Sequence, residues 1–318
     1  MGGLYGFLTT VRMLIKEYQI NKVVLVWDGE NGGIHRHRLD NQYKANRKNK
    51  SWYEKIELTD EEIQREKEKQ QSILFQKVKI QSYAEELYLR QIQVDDIEAD
   101  DLIAAYCMKK CKTEDIILFT NDQDFLQLLD YGIKIRLHSK KALISAGNFF
   151  MYFPFHYKNA LTLKIICGDT SDNIQGIKGL QETTLFKYFP DLHTKPMSVR
   201  DLCGLADNLN KERINSKKKP IAALKNLVEG VERLKLNYQL INLSKPFLSD
   251  EANEALEQLD MPLVDENRGS SNLFKLMQQD DFLSLYSNYG NFNSYVEPFY
   301  TVIAKEKEKY KLYQKNNQ

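Results

Sequence analysis

The 318-residue chain has only four cysteines, Cys107, Cys111, Cys167 and Cys203. They form neither a C-x-x-C pair nor the dense framework of a small secreted domain, so they are expected as free thiols in a reducing compartment. Long apolar runs are also missing. None reaches the roughly 18 residues of a membrane helix, and no charged-then-apolar leader precedes a small-residue cleavage site. After Met1-Gly2-Gly3, Gly6 stands where a myristoylation signal needs Ser or Thr. The expectation is a cytoplasmic protein, bacterial or in the host if phage-encoded. There is little net charge: 45 Lys and Arg against 44 Asp and Glu leave +1. That excludes the overall basicity of many nucleic-acid binders but does not exclude nucleic acid, because the charges are segregated.

Residues 34–50, "IHRHRLDNQYKANRKNK", carry six Lys or Arg and one Asp. Positions 95–101 hold five carboxylates, Asp95, Asp96, Glu98, Asp100 and Asp101. Further basic clusters lie at 134–141 and 211–220. Separated blocks of both signs suit a protein that holds a polyanion with one face and cations with another. Solvated surface explains any single cluster equally well.

Hydrophobic periodicity supplies the fold class. "LYGFLTTVRMLIKEYQ" (4–19) has apolar residues at helical spacing. "KVVLVWDG" (22–29), "RQIQV" (90–94), "DIILFTND" (115–122) and "IKIRLH" (133–138) read as strands, two of them ending in acid. Thr59 with Glu62 three residues on predicts a capping box opening a long charged helix that turns amphipathic after Ile73. Strands alternating with helices imply an α/β fold, a parallel sheet with helices on both faces. Ligand sites in such sheets form beyond the carboxyl ends of the strands, where the acids gather.

The acids are Asp28, the 95–101 group, Asp122 and Asp124 in "TNDQDF", and Asp169 and Asp172 in "GDTSDN". Each has a structural reading: Asp95 as a helix cap with Glu98 at N3, Asp122 as another cap, "GDTSDN" as an Asx-turn. Independent caps have no reason to recur at one end of one sheet. Two carboxylates about 5 Å apart repel by roughly 3 kcal/mol at an effective dielectric near 20. Converging acids without matched His or Cys call for a hard cation, magnesium or manganese.

Five blocks in order, "VLVWDG", "YKANR", "IEADDLIAA", "TNDQDFLQLL" and "GDTSDNIQGIKGL", span residues 23 to about 190. Together they resemble the 5′-nucleases: flap endonucleases, phage 5′-3′ exonucleases including phage ribonuclease H, and the 5′-nuclease domains of bacterial DNA polymerases. The resemblance implies a PIN-like α/β nuclease core over 1–160 with a helical arch at about 34–85, a helix-three-turn-helix region over 161–245, and a mostly helical extension over 246–318. It implies a 5′-3′ exonuclease or flap endonuclease acting in replication with two Mg2+ (or Mn2+) ions, and possible monovalent-cation binding at the turn motif. Asp28, Glu98, Asp100 and Asp122 would serve the first ion, with Asp101 acting through water, and Asp124, Asp169 and Asp172 the second. Lys44 and Arg47, on one helix face, would grip the scissile phosphodiester; Tyr43 would stack on a terminal base. Gly176 and Gly179 would let backbone N–H groups approach a duplex phosphate. Implied partners are DNA with a 5′ flap, nick or RNA primer, and a single-strand-binding protein or clamp; the chain is expected as a monomer.

Two departures stand against that pattern. Gln181 and Thr183 occupy positions where the family has Gly and then Lys. No equivalent acid at the end of a strand precedes Asp28, so the family's first core strand is expected to be absent from this chain. The competing readings are a DNA-binding protein of the same fold with lost or reduced catalysis, and a PIN-like ribonuclease.

Overall fold

The computed structural model describes residues 2–48, 59–263, 268–281 and 289–316; part of the expected arch, 49–58, lies outside them. The chain divides into two compact units. The first takes Met1–Trp27, Trp52–Val94 and Asp250–Gln318, the second Asp28–Ser51 and Asp95–Ser249.

In the first unit, α1 (Gly2–Tyr18) buries Leu4, Leu8, Val11 and Ile15, the stripe its spacing predicts. These pack with Ile80, Tyr83 and Leu87 and with Phe292, Phe299 and Val302 in one core. Ile80 and Tyr83 belong to a 27-residue helix, Asp60–Glu86, which opens on the expected Thr59–Glu62 capping box. Burial along it starts later than the sequence suggests. Ile73, Leu74, Phe75 and Val78 are all more than half exposed, because the core engages only its last turns, at Ile80, Tyr83 and Ala84.

Strand β1 (Val24–Val26) pairs in parallel with β2 (Arg90–Ile92), Val24 opposite Arg90. Arg90 is buried, and its guanidinium donates to Glu306 and to the carbonyls of Leu259 and Met261. Glu306, also buried, sits on the helix Tyr300–Asn316. Removing one member of a buried pair leaves the other charge without compensation, at a cost of about 3–5 kcal/mol. Glu306→Ala is therefore expected to lower the urea midpoint sharply, whereas Glu308→Ala, at an exposed pair with Lys305, should leave it within error.

In the second unit, β3 (Ile117–Thr120) runs parallel to β4 (Lys134–Leu137), and β4 antiparallel to β5 (Ala142–Ile144). The expected parallel pairs are present, but the described strands fall into separate ladders rather than one sheet. Strand β5 follows a tight turn in which Lys141 N–H donates to the His138 carbonyl with Lys141 at φ +48°; no glycine announces that turn. The segment Gln123–Tyr131 winds as a 3-10 helix and buries Phe125, Leu126, Leu128 and Leu129. These join Leu163 and Ile166 of a helix Ala160–Cys167 and Leu202 and Ala206 of a helix Val199–Asn215 in one core. A two-residue antiparallel ladder, Gly168–Asp169 against Ile174–Gln175, closes the loop after Cys167. Asn237, fully buried on the helix Val231–Ile241, donates to the carbonyls of Ile165 and Gln175 and so fixes that loop against the helices. All four cysteines are free, and among the described residues no helix is long and apolar enough to cross a membrane.

Candidate active site

Every acid singled out in the sequence, and the "YKANR" segment, belongs to the second unit. The helix carrying the acidic cluster spans Ala99–Lys110 with Glu98 as its N-cap residue, three positions later than a cap at Asp95 would give. Asp95 instead accepts from Glu30 N–H, and Asp96, at φ +63°, donates its N–H to the Glu30 carbonyl. These two acids shape the turn. Asp28 accepts from Ala99 N–H at 3.0 Å and so covers one of the unpaired donors of the first turn.

The centre of the cluster is a buried cation that sequence reasoning passed over. Arg36 lies in a short helix, Ile34–Leu39, inside the basic run, and is only 3% exposed. Its Nη1 donates to Glu98 Oε2 and Asp101 Oδ2, each at 2.6 Å, its Nη2 to Asp101 Oδ1 at 3.0 Å, and its Nε to the Leu240 carbonyl at 2.9 Å. The ring of Phe247 lies beneath the guanidinium, 5.2 Å from Cζ to its centroid. Burial alone would lower the Arg36 pKa, but the hydrogen bonds and charge of Asp101 and the charge of Glu98 outweigh it and push the pKa up. Asp101 has both oxygens on Arg36, also accepts from Phe247 N–H, and is 1% exposed. The water-mediated ion contact expected of Asp101 is thus replaced by a structural pairing. A buried carboxylate is most cheaply kept charged by a bidentate guanidinium.

The "YKANR" segment differs from expectation in two residues. Tyr43 is 3% exposed, so its ring is not a platform open to a base. Its hydroxyl stands 3.2 Å from Glu98 Oε2 and 3.3 Å from Asp172 Oδ2, where it donates, and burial followed by these two charges drives its pKa up. Lys44 does not share a helical face with Arg47: it takes the left-handed backbone, φ +53°, and the short helix starts after it at Ala45, running to Lys48 with Arg47 inside it. That backbone directs Lys44 Nζ into an ion pair with Glu98, 3.9 Å from Asp172 Oδ2. Burial would raise the Glu98 pKa, but Arg36 and Lys44 outweigh it and hold the carboxyl below its ordinary value.

The segment is stitched to the "GDTSDN" loop. Lys44 N–H donates to the Asp172 carbonyl at 2.8 Å, Asn46 Nδ2 to the Thr170 carbonyl at 3.0 Å, and Asn173 Nδ2 to the Gln42 carbonyl at 2.7 Å. Asp169 accepts from Ser171 N–H and from Lys164 Nζ. Lys164, a second residue the sequence did not flag, also pairs with Asp124. Burial alone would raise Asp169, but the bonds from Lys164 and Ser171 bring it down to about 2. Asp122 accepts from Asp124 N–H, the cap the local reading foresaw.

Glu98 and Asp172 therefore meet at Tyr43 and Lys44, and Asp124 and Asp169 meet at Lys164. Among the described residues, no three His, Cys, Asp or Glu side chains close on one point at metal-binding distance. The donor set still fits a hard cation. Asp100 is pushed up to about 7, first by burial and next by the charge of Asp122. Negative charge in excess of the local lysines and Arg36 is what a divalent ion relieves, and oxygen-only donors suit magnesium or manganese.

Gly176 and Gly179 have different roles. A side chain at Gly176 would meet the Cys167 carbonyl at 2.1 Å, so this glycine permits the chain to cross close behind the loop. Gly179, exposed and at φ +85°, completes a turn whose Lys178 carbonyl accepts from Asn226. Arg36 was hidden by its setting in a basic run, and no neighbouring residue signalled its burial.

The chain is similar to known proteins in sequence and in fold. Residues 1–152 match the family described as the 5′-3′ exonuclease, N-terminal resolvase-like domain. A 5′-3′ exonuclease of Mycoplasmopsis pulmonis is 27% identical over 288 residues, 88% of this chain and 87% of that protein. One from Bacillus subtilis is 28% identical over 200 residues, 60% of each chain. The solved structure of a bacteriophage T5 flap endonuclease in a pseudo-enzyme-product complex with DNA and metal ions superposes with a TM-score of 0.61 at 19% identity, covering 80% of this chain and 89% of that one. The last likeness establishes a common fold.

Proposed function

Since the chain belongs to the 5′-nuclease family and is a nuclease, we propose that it hydrolyses phosphodiesters at 5′ ends or junctions of DNA, or of RNA-primed duplexes, in replication, with divalent metal ions. The observation that carries this reading is the placing of Lys44 against Glu98 and Asp172 by backbone bonds between two distant segments. A solvated lysine needs no such fixing, whereas a lysine that must meet a phosphate beside an acidic site does.

In this reading Asp28, Glu98, Asp100 and Asp122 hold one ion, and Asp124, Asp169 and Asp172 a second. When bound, the ions supply an activated water and stabilise the leaving oxygen, so no protein nucleophile is required. The chain's own residues do the rest. Arg36, itself held by Asp101, keeps Glu98 ionised and oriented. Tyr43 holds Glu98 and Asp172 in register through its hydroxyl. Lys44 exchanges its bond to Glu98 for a phosphate oxygen and neutralises charge that grows there, with Arg47 assigned to the same phosphate. The segment from Ala160 to Tyr188, with Gly176 and Gly179 in its turns, is assigned to the duplex backbone as a helix-three-turn-helix, with a monovalent cation there.

A 5′-flap duplex incubated with Mg2+ should be cut near the junction, and EDTA should stop the reaction. Lys44→Ala should lower single-turnover cleavage by about a hundredfold while duplex affinity changes little. One specific observation favours a binding-only protein: Lys164 already occupies the space between Asp124 and Asp169. Salt-sensitive flap binding without cleavage at any Mg2+ or Mn2+ concentration would select that reading.

A further inference from the structure

The helices of the second unit border a groove of about 790 Å3 whose charged residues the nuclease reading leaves without a role. Leu39, Ile165, Val199, Val231 and Leu234 line it. Among the described residues, the charged ones along it are Arg200, Lys235 and Lys245, and no carboxylate lines it; Lys235 pairs with Glu232 outside the lining. Asn242 also lines the groove. Asn242 is 5% exposed, and its Oδ1 accepts from Ser244 N–H while its Nδ2 meets no acceptor. That nitrogen is itself closed off by the chain around it, so the cations and the aliphatic walls define what the groove can take.

We propose that this groove binds an acidic peptide segment of a partner protein, which inserts an apolar side chain between the helices. Two features match two parts of such a segment. Aliphatic walls take a leucine or phenylalanine side chain. Arg200, Lys235 and Lys245 meet the flanking carboxylates, which lose little by binding at a partly wetted rim. The volume lies within the range of roughly 300–1,000 Å3 typical of ligand sites.

Nucleic acid fits the same cations but not the walls. Single strands are held by aromatic faces on which bases stack. Of the aromatic residues here, Phe247 already stacks on His35 and carries Arg36, which leaves Tyr238. Aliphatic walls offer no partner to the polar edges of a base.

The test is fluorescence anisotropy of the full chain with a fluorescein-labelled peptide, Asp-Asp-Glu-Leu-Phe-Glu-Asp-Asp, and with a version carrying Lys at every acidic position. Saturable binding of the acidic peptide at a Kd on the order of 10 μM is expected, and none of the basic one. Val231 is 45% exposed at the groove, so Val231→Asp should fold, which circular dichroism checks. That variant and the double variant Lys235→Glu/Lys245→Glu should each weaken binding at least about tenfold, with flap cleavage at the wild-type rate. Absence of saturation up to about 1 mM, or unchanged affinity in both variants, overturns the proposal. So does displacement of the peptide by oligothymidylate whose own binding is lost in the same variants; the groove would then belong to single-stranded nucleic acid.

Discussion

Asp100→Asn should lower cleavage by about a thousandfold and, in the same molecule, raise the melting temperature of the metal-free protein at pH 8. The two effects have one origin. The Asp100 carboxyl is raised from 3.8 to about 7 by burial and the neighbouring charge of Asp122. Below pH 4 it is neutral whether the chain is folded or unfolded, and it costs nothing. Between pH 4 and 7 the folded state retains a proton that the unfolded state releases, so stability falls as pH rises, and above 7 the full cost is present. At about 1.4 kcal/mol per pKa unit that cost is at most about 4 kcal/mol. An amide cannot ionise, so the variant should gain stability at pH 8 and almost none at pH 4. Magnesium should stabilise the wild type and do so much less for the variant, and turnover should fall by about a thousandfold, the upper end for a removed electrostatic group. Equal melting temperatures at pH 8 would show that Asp100 carries no such strain.

Arg36→Ala should be the most destabilising single change in the second unit. It strips two buried carboxylates, Glu98 and Asp101, of their shared counter-charge and removes the bond to the Leu240 carbonyl. The cost of about 3–5 kcal/mol for breaking a buried pair is a large part of the stability of a typical domain, about 5–15 kcal/mol. Arg36→Lys keeps the charge but not the planar fork, so it should fall between alanine and wild type. The pH dependence gives an internal check. In the wild type the depressed Glu98 pKa adds stability that is present above its ordinary value and lost as pH falls. Without Arg36 that contribution shrinks, so the deficit of the variant in urea should narrow on acidification. A constant deficit from pH 8 to pH 4 would mean that packing on Phe247, not charge, is what Arg36 supplies.

What the sequence disclosed depended on how local the signal was. The stripe of α1 and the Thr59–Glu62 capping box are contained within a few residues, and both formed as read. The strand ends carrying Asp28 and Asp122 were legible for the same reason. Arg36 was not, because five neighbouring cations made it look solvated; its burial is fixed by Glu98, Asp101 and Leu240, which are 62 or more positions away. Lys164 was hidden similarly, as one polar residue on a helix whose other face builds the core. Tyr43 and Lys44 have surroundings the sequence did not show, since the left-handed backbone at Lys44 turns its ammonium toward Glu98. Strand β5 escaped notice because its turn contains neither Gly nor Pro.

The bonds between residues 42–46 and 170–173 have a consequence for heredity and engineering. Each segment supplies the other's backbone partners: Lys44 to Asp172, Asn46 to Thr170, and Asn173 back to Gln42. All three acceptors are backbone carbonyls, which any residue supplies, so the seam depends on the side chains of Asn46 and Asn173 alone. A chimera importing either segment from a relative should keep the seam wherever its asparagine is kept, and the other positions are free to drift.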